Sequence, residues 1–316
     1  MRVTVVGGGS WGTAFARLLA ESGHEVTLAC RDPEQAAAIA QTGRNPRYLQ
    51  DVDLGAVQAV ALPDLPETDL FVMAVPSHAF AEVAATLPDG PPVLSLTKGL
   101  DPATGNRLST LLGARRVAML SGPNFAAEIA AGLPGAAVIA SEDEELAAWL
   151  QQEINSLIFR VYVNPDLIGV ELCAAAKNVI ALAAGGVDGL GFGDNAKAAL
   201  ITRGLAEMSR LAAACGARPE TFAGLAGMGD LMVTCWSRQG RNRRAGELIA
   251  QGESPEQAAA EIGQVVEGLT TAPVLRDLAH RLEIELPITE GVCQVLTGVD
   301  LLELVSTLMG RRPREE

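Results

Sequence analysis

The chain has 316 residues, 48% apolar and 20% charged, which suits a globular protein long enough for two domains. Its formal net charge of −14 makes nucleic acid and anionic membrane surfaces poor bulk partners, and an anionic small molecule would need a local cluster of arginine or lysine. Five scattered cysteines without a CxxC pair, beside three histidines, argue against a disulfide framework or metal site and point to a reducing cytoplasm.

The N-terminal "MRVTVVGGGSWG" reads as a strand entering a glycine loop rather than a signal peptide. Short apolar runs predict strands at Val3–Val6, Glu25–Ala29, Ala59–Leu62, Leu70–Val75, Val93–Leu96, Val117–Leu120, Ala136–Ala140 and Arg160–Val163. Between several of them lie helical patterns such as Thr13–Glu21, Pro33–Gln41 and Glu142–Glu153. Strands alternating with helices imply an α/β unit of Rossmann type, a doubly wound and mostly parallel sheet. After "YVNPD" the strand signals nearly vanish. Helices punctuated by glycine, by Pro219, Pro255 and Pro287, and by caps such as Asp300 run on to Leu308. The boundary is placed near Pro165, giving a nucleotide-binding domain at 1–165 and an all-helical substrate domain at 166–316. The final "RRPREE" reads as a solvated tail.

Gly7-x-Gly9-x-x-Gly12 follows the first strand and opens the first helix. That context identifies a dinucleotide loop, with the pyrophosphate at the positive end of the helix. At the end of the second strand stands Arg31, whose guanidinium could bind the 2′-phosphate of NADP. Asp32, next along, could instead take the ribose hydroxyl of NAD. NADP or NAD is therefore the expected cofactor, with no metal.

The stretch "GVELCAAAKNVIALAAGG" predicts a helix over Gly169–Gly186, apolar except where Lys177 sits in its middle. Its neighbours on that face are Cys173, Ala174, Ile180 and Ala181. An ammonium there is costly unless something pairs with it or uses it. This lysine also interrupts the best apolar run, so no membrane span of ~18 residues is expected. The Gly/Ala-rich continuation from Leu182 to Leu200 suits either helix packing or a subunit contact in a homodimer.

Further segments carry chemistry-bearing residues without an obvious packing role. These are "LTKGL", "LSGPNFAAEIAAG", "GMGDLMVTC", "GRNRRAGE" and "VVEGLTTA". With "GGGSWGTA" and "AAAKNVIALAAG" they resemble, in order from Arg2 to at least Thr271, the bacterial NAD(P)-dependent glycerol-3-phosphate dehydrogenases. The resemblance implies reduction of dihydroxyacetone phosphate to glycerol 3-phosphate for glycerophospholipid synthesis. It implies that Lys177 transfers the proton. It makes Gly7, Gly9, Gly12, Ser10, Trp11, Arg31, Lys98, Ala126, Arg241, Val265 and Glu267 cofactor positions. Lys98, Gly122, Asn124, Lys177, Asp230, Arg241 and Asn242 become substrate positions. Asn124 and Gly240 stand where many members have serine, so a phosphate contact at Gly240 would have to come from its backbone N–H.

His78 in "VPSHAF" is the one histidine near the predicted crevice. No carboxylate motif is matched to orient it, and a peripheral role is expected. Rival readings are a β-hydroxyacid dehydrogenase, a ketopantoate reductase, or a silent NAD(P) sensor. The sensor leaves Lys98, Lys177, Asp230 and Arg241 without a use.

Overall fold

Eight strands join in one sheet: β1 (Arg2–Val6), β2 (Glu25–Cys30), β3 (Gln58–Ala61), β4 (Leu70–Met73), β5 (Val93–Ser95), β6 (Val117–Ser121), β7 (Gly135–Ala140) and β8 (Phe159–Asn164). The computed structural model describes residues 1–310, so the expected tail lies outside the described residues. The strand order is β3-β2-β1-β4-β5-β6-β7-β8. Neighbours are parallel except β6 with β7, which run antiparallel with Leu120 opposite Ile139. This is the mostly parallel doubly wound sheet expected from the alternating pattern. Leu70–Met73 is buried along its whole length, as a strand with both faces covered must be.

The sheet is covered by α1 (Ser10–Glu21), α2 (Pro33–Thr42), α3 (Phe80–Ala84), α4 (Ala126–Ala130) and α5 (Glu144–Ile154). Helix α1 begins three residues before the predicted Thr13. The reason is Gly12, which belongs to the first helical turn rather than to the loop. A Cβ on Gly12 would lie 2.0 Å from the Gly7 carbonyl oxygen, so only glycine lets the helix start this close to β1. Helix α2 begins at Pro33 with Asp32 as its cap, the carboxylate accepting from the Glu34 N–H at 2.9 Å.

Beyond β8 the described chain is helical. It comprises α6 (Leu167–Gly189), α7 (Gly193–Ala214), α8 (Pro219–Ala223), a π-turn at Leu225–Gly229, α9 (Asp230–Trp236), α10 (Arg241–Ala250), α11 (Pro255–Ile262), α12 (Glu267–Arg281), α13 (Pro287–Leu296) and α14 (Leu301–Met309). Pro219, Pro255 and Pro287 each open a helix, as the sequence pattern predicts. Asp300 caps α14 through the Glu303 N–H at 2.9 Å.

Helix α6 is the axis of this half, nearly all of it buried. Among the described residues it is the one helix long and apolar enough to cross a membrane, and 89% of its apolar window is buried inside the protein. Its small residues are used in packing against α10. A Cβ on Gly185 would lie 1.8 Å from the Arg243 carbonyl oxygen, and one on Gly246 would lie 1.9 Å from that of Leu182. Met119, Val138 and Ala140 of the sheet pack with Leu167, Val170 and Ala174 of α6. This apolar contact seats the first turns of α6 against β6 and β7, with Lys177 about one turn further along the helix.

Candidate active site

Loops after β1, β4, β5 and β6 meet where the strand order reverses between β1 and β4, the usual ligand crevice of such sheets. Gly7 has φ +121°, and a Cβ there would lie 2.5 Å from the Ala74 carbonyl oxygen. Gly7 and Gly12 are thus glycines for packing. Gly9 differs, because a Cβ added to it meets nothing within 4 Å. It caps α1 without a side-chain hydrogen bond, so the free N–H groups of the first turn face that open space. Beside them the buried Trp11 Nε1 has no hydrogen-bond partner. An open, positively polarised helix terminus fits a pyrophosphate.

The second centre is built around Asp230, 2% exposed at the first position of α9. Its Oδ1 accepts from Lys177 Nζ at 2.6 Å, and its Oδ2 accepts from Lys98 Nζ at 2.7 Å. Lys177 also donates to Thr234 Oγ1 at 3.0 Å, and Lys98 to the Gly122 carbonyl at 3.3 Å. Ser121 Oγ donates to Asp230 Oδ2 at 3.3 Å. One carboxylate therefore bridges two ammonium groups from separate parts of the chain, the loop after β5 and the middle of α6.

The electrostatics follow from burial. Desolvation pushes the Lys177 ammonium down to about 7; the nearby Lys98 charge adds to this, and Asp230 opposes it. Burial alone would raise Asp230, but the two ammonium groups more than offset it and hold the carboxyl below its usual range.

Glu267, the first residue of α12, reaches back to the sheet half. It accepts from Ser77 N–H at 3.0 Å and from Ser77 Oγ at 2.5 Å. Ser10 Oγ donates to Gln264 Oε1 at 3.4 Å, so the glycine loop touches the same segment. Arg241 opens α10 and donates through Nη1 to the Val265 carbonyl at 2.8 Å. It keeps solvent access while surrounding protein lowers its pKa by desolvation, with Glu267 and Tyr48 opposing.

Asn242 is buried, donating to Asn178 Oδ1 at 2.9 Å and accepting from the Gly268 N–H at 2.8 Å. It ties α6, α10 and α12 together below Arg241. With its amide oriented to satisfy both neighbours, Asn124 donates to the carbonyls of Pro123 at 3.2 Å and Ala136 at 3.1 Å. Gly122 has φ +148°, and a Cβ would lie 2.9 Å from the Ala136 carbonyl oxygen, so backbone crowding demands glycine there. Ala126 opens the short α4, and Arg31 stands exposed at the end of β2.

Sequence reasoning missed Ser77, Thr234, Ser121 and Asn178. Thr234 was within reach, since it lies four residues after Asp230 and so on the same helical face. Ser77 was passed over for its neighbour His78, which is exposed while Ser77 is buried.

The models of the N-terminal and C-terminal parts of NAD-dependent glycerol-3-phosphate dehydrogenase match residues 2–147 and 166–305. The Moorella thermoacetica glycerol-3-phosphate dehydrogenase [NAD(P)+] is 48% identical over 324 residues, covering 99% of this chain and 96% of the relative. The chain belongs to the NAD-dependent glycerol-3-phosphate dehydrogenase family. The Escherichia coli O1:K1 member is 47% identical, with 99% of this chain and 97% of the relative covered. The crystal structure of the Coxiella burnetii glycerol-3-phosphate dehydrogenase superposes with a TM-score of 0.94 at 37% identity, covering 98% of this chain and 99% of that one.

Within this NAD(P)-dependent dehydrogenase, Gly240 behaves differently from the sequence expectation. Its N–H donates to the Ser237 carbonyl at 3.1 Å, so it is already engaged. A Cβ there would lie 2.7 Å from the Thr234 carbonyl oxygen, so the loop closes more tightly than a serine would permit. The free donors at this end are the first N–H groups of α10, which carries no side-chain cap.

Proposed function

We propose that this dehydrogenase reversibly reduces dihydroxyacetone phosphate to sn-glycerol 3-phosphate with NADPH or NADH, in the cytoplasm, for glycerophospholipid synthesis. Residues 1–165 serve as its nucleotide-binding half and the helical residues from 166 on as its substrate half. The observation that carries this reading is the Lys98–Asp230–Lys177 bridge at the carboxyl ends of β5 and β6. When bound, the reduced nicotinamide supplies the hydride. Gly9, Ser10, Trp11 and the first turn of α1 would hold the pyrophosphate region, with Ala126, Val265 and Glu267 along the same groove.

Lys177 stabilises the charge developing on the C2 oxygen and delivers its proton there. A pKa near 7 keeps both forms populated, so the lysine gives the proton in reduction and takes it in oxidation. Asp230 holds Lys177 in line while a second ammonium, from Lys98, strengthens the field at the carbonyl. Arg241 and the first N–H groups of α10 form the phosphate site, where a guanidinium fork and a helix terminus act together. Asn242 supports that site from below through its buried amide contacts.

The test is to follow NADPH and NADH absorbance with dihydroxyacetone phosphate, ketopantoate and unphosphorylated dihydroxyacetone in parallel. Turnover only on the phosphate ester is the expected result. Ketopantoate as sole substrate would overturn the reading, and tight cofactor binding without any turnover would identify a sensor instead. The pH dependence has a definite sign. Reduction needs the protonated lysine, so kcat/KM for reduction should fall as pH rises through about 7, while the oxidation rate should rise over the same range. Profiles for the two directions that move together would rule out Lys177 as the shared group.

Arg241→Ala should raise the KM for dihydroxyacetone phosphate by about 30-fold or more, because a charge-assisted contact of about 2–5 kcal/mol is lost. Whatever activity remains on unphosphorylated dihydroxyacetone should barely change. Equal losses on both substrates would show that Arg241 does not read the phosphate.

A further inference from the structure

Choice between the two nicotinamide cofactors depends on what meets the adenosine 2′ position at the end of β2, an acid for a hydroxyl or an arginine for a phosphate. Here the acid is Asp32, and both of its oxygens are engaged. Oδ1 caps α2 through the Glu34 N–H at 2.9 Å, and Oδ2 is ion-paired with Arg47.

Arg47 lies in the segment after α2 and is held there by a buried polar network. Asn45 is 0% exposed; its Nδ2 donates to the Gly8 carbonyl at 3.0 Å and to Thr13 Oγ1 at 2.8 Å. Its Oδ1 accepts from the Arg47 N–H at 3.0 Å and from Gln35 Nε2 at 3.1 Å. Gln35 donates also to the Gly8 carbonyl at 2.7 Å. The residue that carries Arg47 is thus fastened to the glycine loop itself. The Arg47 guanidinium remains 54% exposed, and Arg31, which precedes its partner Asp32 in the chain, is exposed as well. A pair this exposed adds little to stability, and Asp32 caps α2 without it.

We infer that Arg47 is a second determinant of cofactor choice, resting on the NAD(P) reading above. With Arg31 it forms a two-arginine cradle for the 2′-phosphate of NADPH. By holding Asp32 it also occupies the carboxylate that a ribose 2′-hydroxyl would otherwise use. The segment Asn45–Tyr48 therefore discriminates between cofactors as well as closing the loop.

The experiment measures binding alone, by calorimetric titration with adenosine 2′,5′-bisphosphate and 5′-AMP, and by fluorescence titration with NADPH and NADH. Arg47→Ala should weaken adenosine 2′,5′-bisphosphate and NADPH at least tenfold, and leave 5′-AMP and NADH within twofold or slightly tighter. Asp32→Asn, which retains a capping oxygen, should tighten NADPH at least threefold by releasing Arg47. Equal weakening of both cofactors in Arg47→Ala, or NADPH binding within twofold of wild type in either variant, would overturn the inference. No substrate enters these titrations. An error in the assigned reaction would show instead as normal discrimination between nucleotides with no turnover.

Discussion

Lys177→Met is expected to lower turnover by a factor on the order of 10² to 10⁴, the range for losing a general acid–base. Methionine keeps the length of the side chain and suits a helix face on which Cys173, Ala174 and Ala181 are all fully buried. The protein should therefore fold and bind NADPH with unchanged affinity, which separates loss of chemistry from loss of structure. Lys177→Arg should rescue little. Guanidinium keeps the charge beside Asp230 but does not give up its proton near neutral pH. It also needs room for a planar fork in a space that holds one ammonium 2.6 Å from Asp230 Oδ1 and 3.0 Å from Thr234 Oγ1. If arginine restored most of the rate, Lys177 would be an electrostatic anchor and Lys98 or a water would deliver the proton. A methionine variant close to wild type would leave an ordinary buried lysine and end the mechanism.

The lysine was visible in the sequence because an ammonium in the middle of an apolar helix has few inexpensive explanations. The strand pattern was equally visible, since runs such as "LFVM" are buried on both faces and alternate with helical periods. What pattern reading misplaced was local. The helical pattern starts at Thr13, yet Gly12 already sits in the first turn of α1 because a missing Cβ lets the helix press on Gly7. Gly240 reads as a bare replacement for serine, yet its N–H and its lack of a side chain are both used to close the turn into α10.

Contacts between distant segments were the least legible part of the site. Lys98 and Asp230 are 132 residues apart, and Ser77 and Glu267 are 190 apart. No periodicity connects such pairs, because they meet only when the helical half docks on the sheet through α6. Asp230 could be paired with Lys177 from the sequence as its countercharge, and the resemblance to a family named Lys98 and Glu267 singly; the sharing of that carboxylate with a second lysine, and the serine clasping Glu267, came from the fold. Likewise Asp32 was open to a role on the ribose until its two oxygens were seen to be held by α2 and Arg47.

Asp230→Asn is expected to destabilise the protein by an amount that grows as pH falls. Breaking a buried ion pair ordinarily costs about 3–5 kcal/mol, because one charge is left buried without its partner. Here the lysine has another course open to it. Its pKa already lies near 7, and without the countercharge it falls further, so at pH 8.5 the variant carries a neutral Lys177 and avoids most of that cost. In the wild type, the unfolded chain binds this proton more readily than the folded one between about pH 7 and the ordinary lysine value. The lysine's contribution therefore makes stability rise with pH in that window and level off below it. In the variant the same window extends downward, so stability keeps falling below pH 7. The gap between the two proteins should open by up to about 1.4 kcal/mol for each pH unit until the variant's own lysine pKa is reached. Asp230 stays ionised over this range in the wild type, its pKa being held low by Lys177 and Lys98, so it adds no slope of its own. Activity should move in step, the alkaline fall in the reduction rate shifting to lower pH by one unit or more. Urea melts and pH–rate profiles of both proteins from pH 5.5 to 8.5 measure the two effects together. A stability gap that stays constant with pH, or a reduction profile that does not shift, would mean that Asp230 does not set the protonation of Lys177. The carboxylate would then be only a fastening between Lys98 and α9.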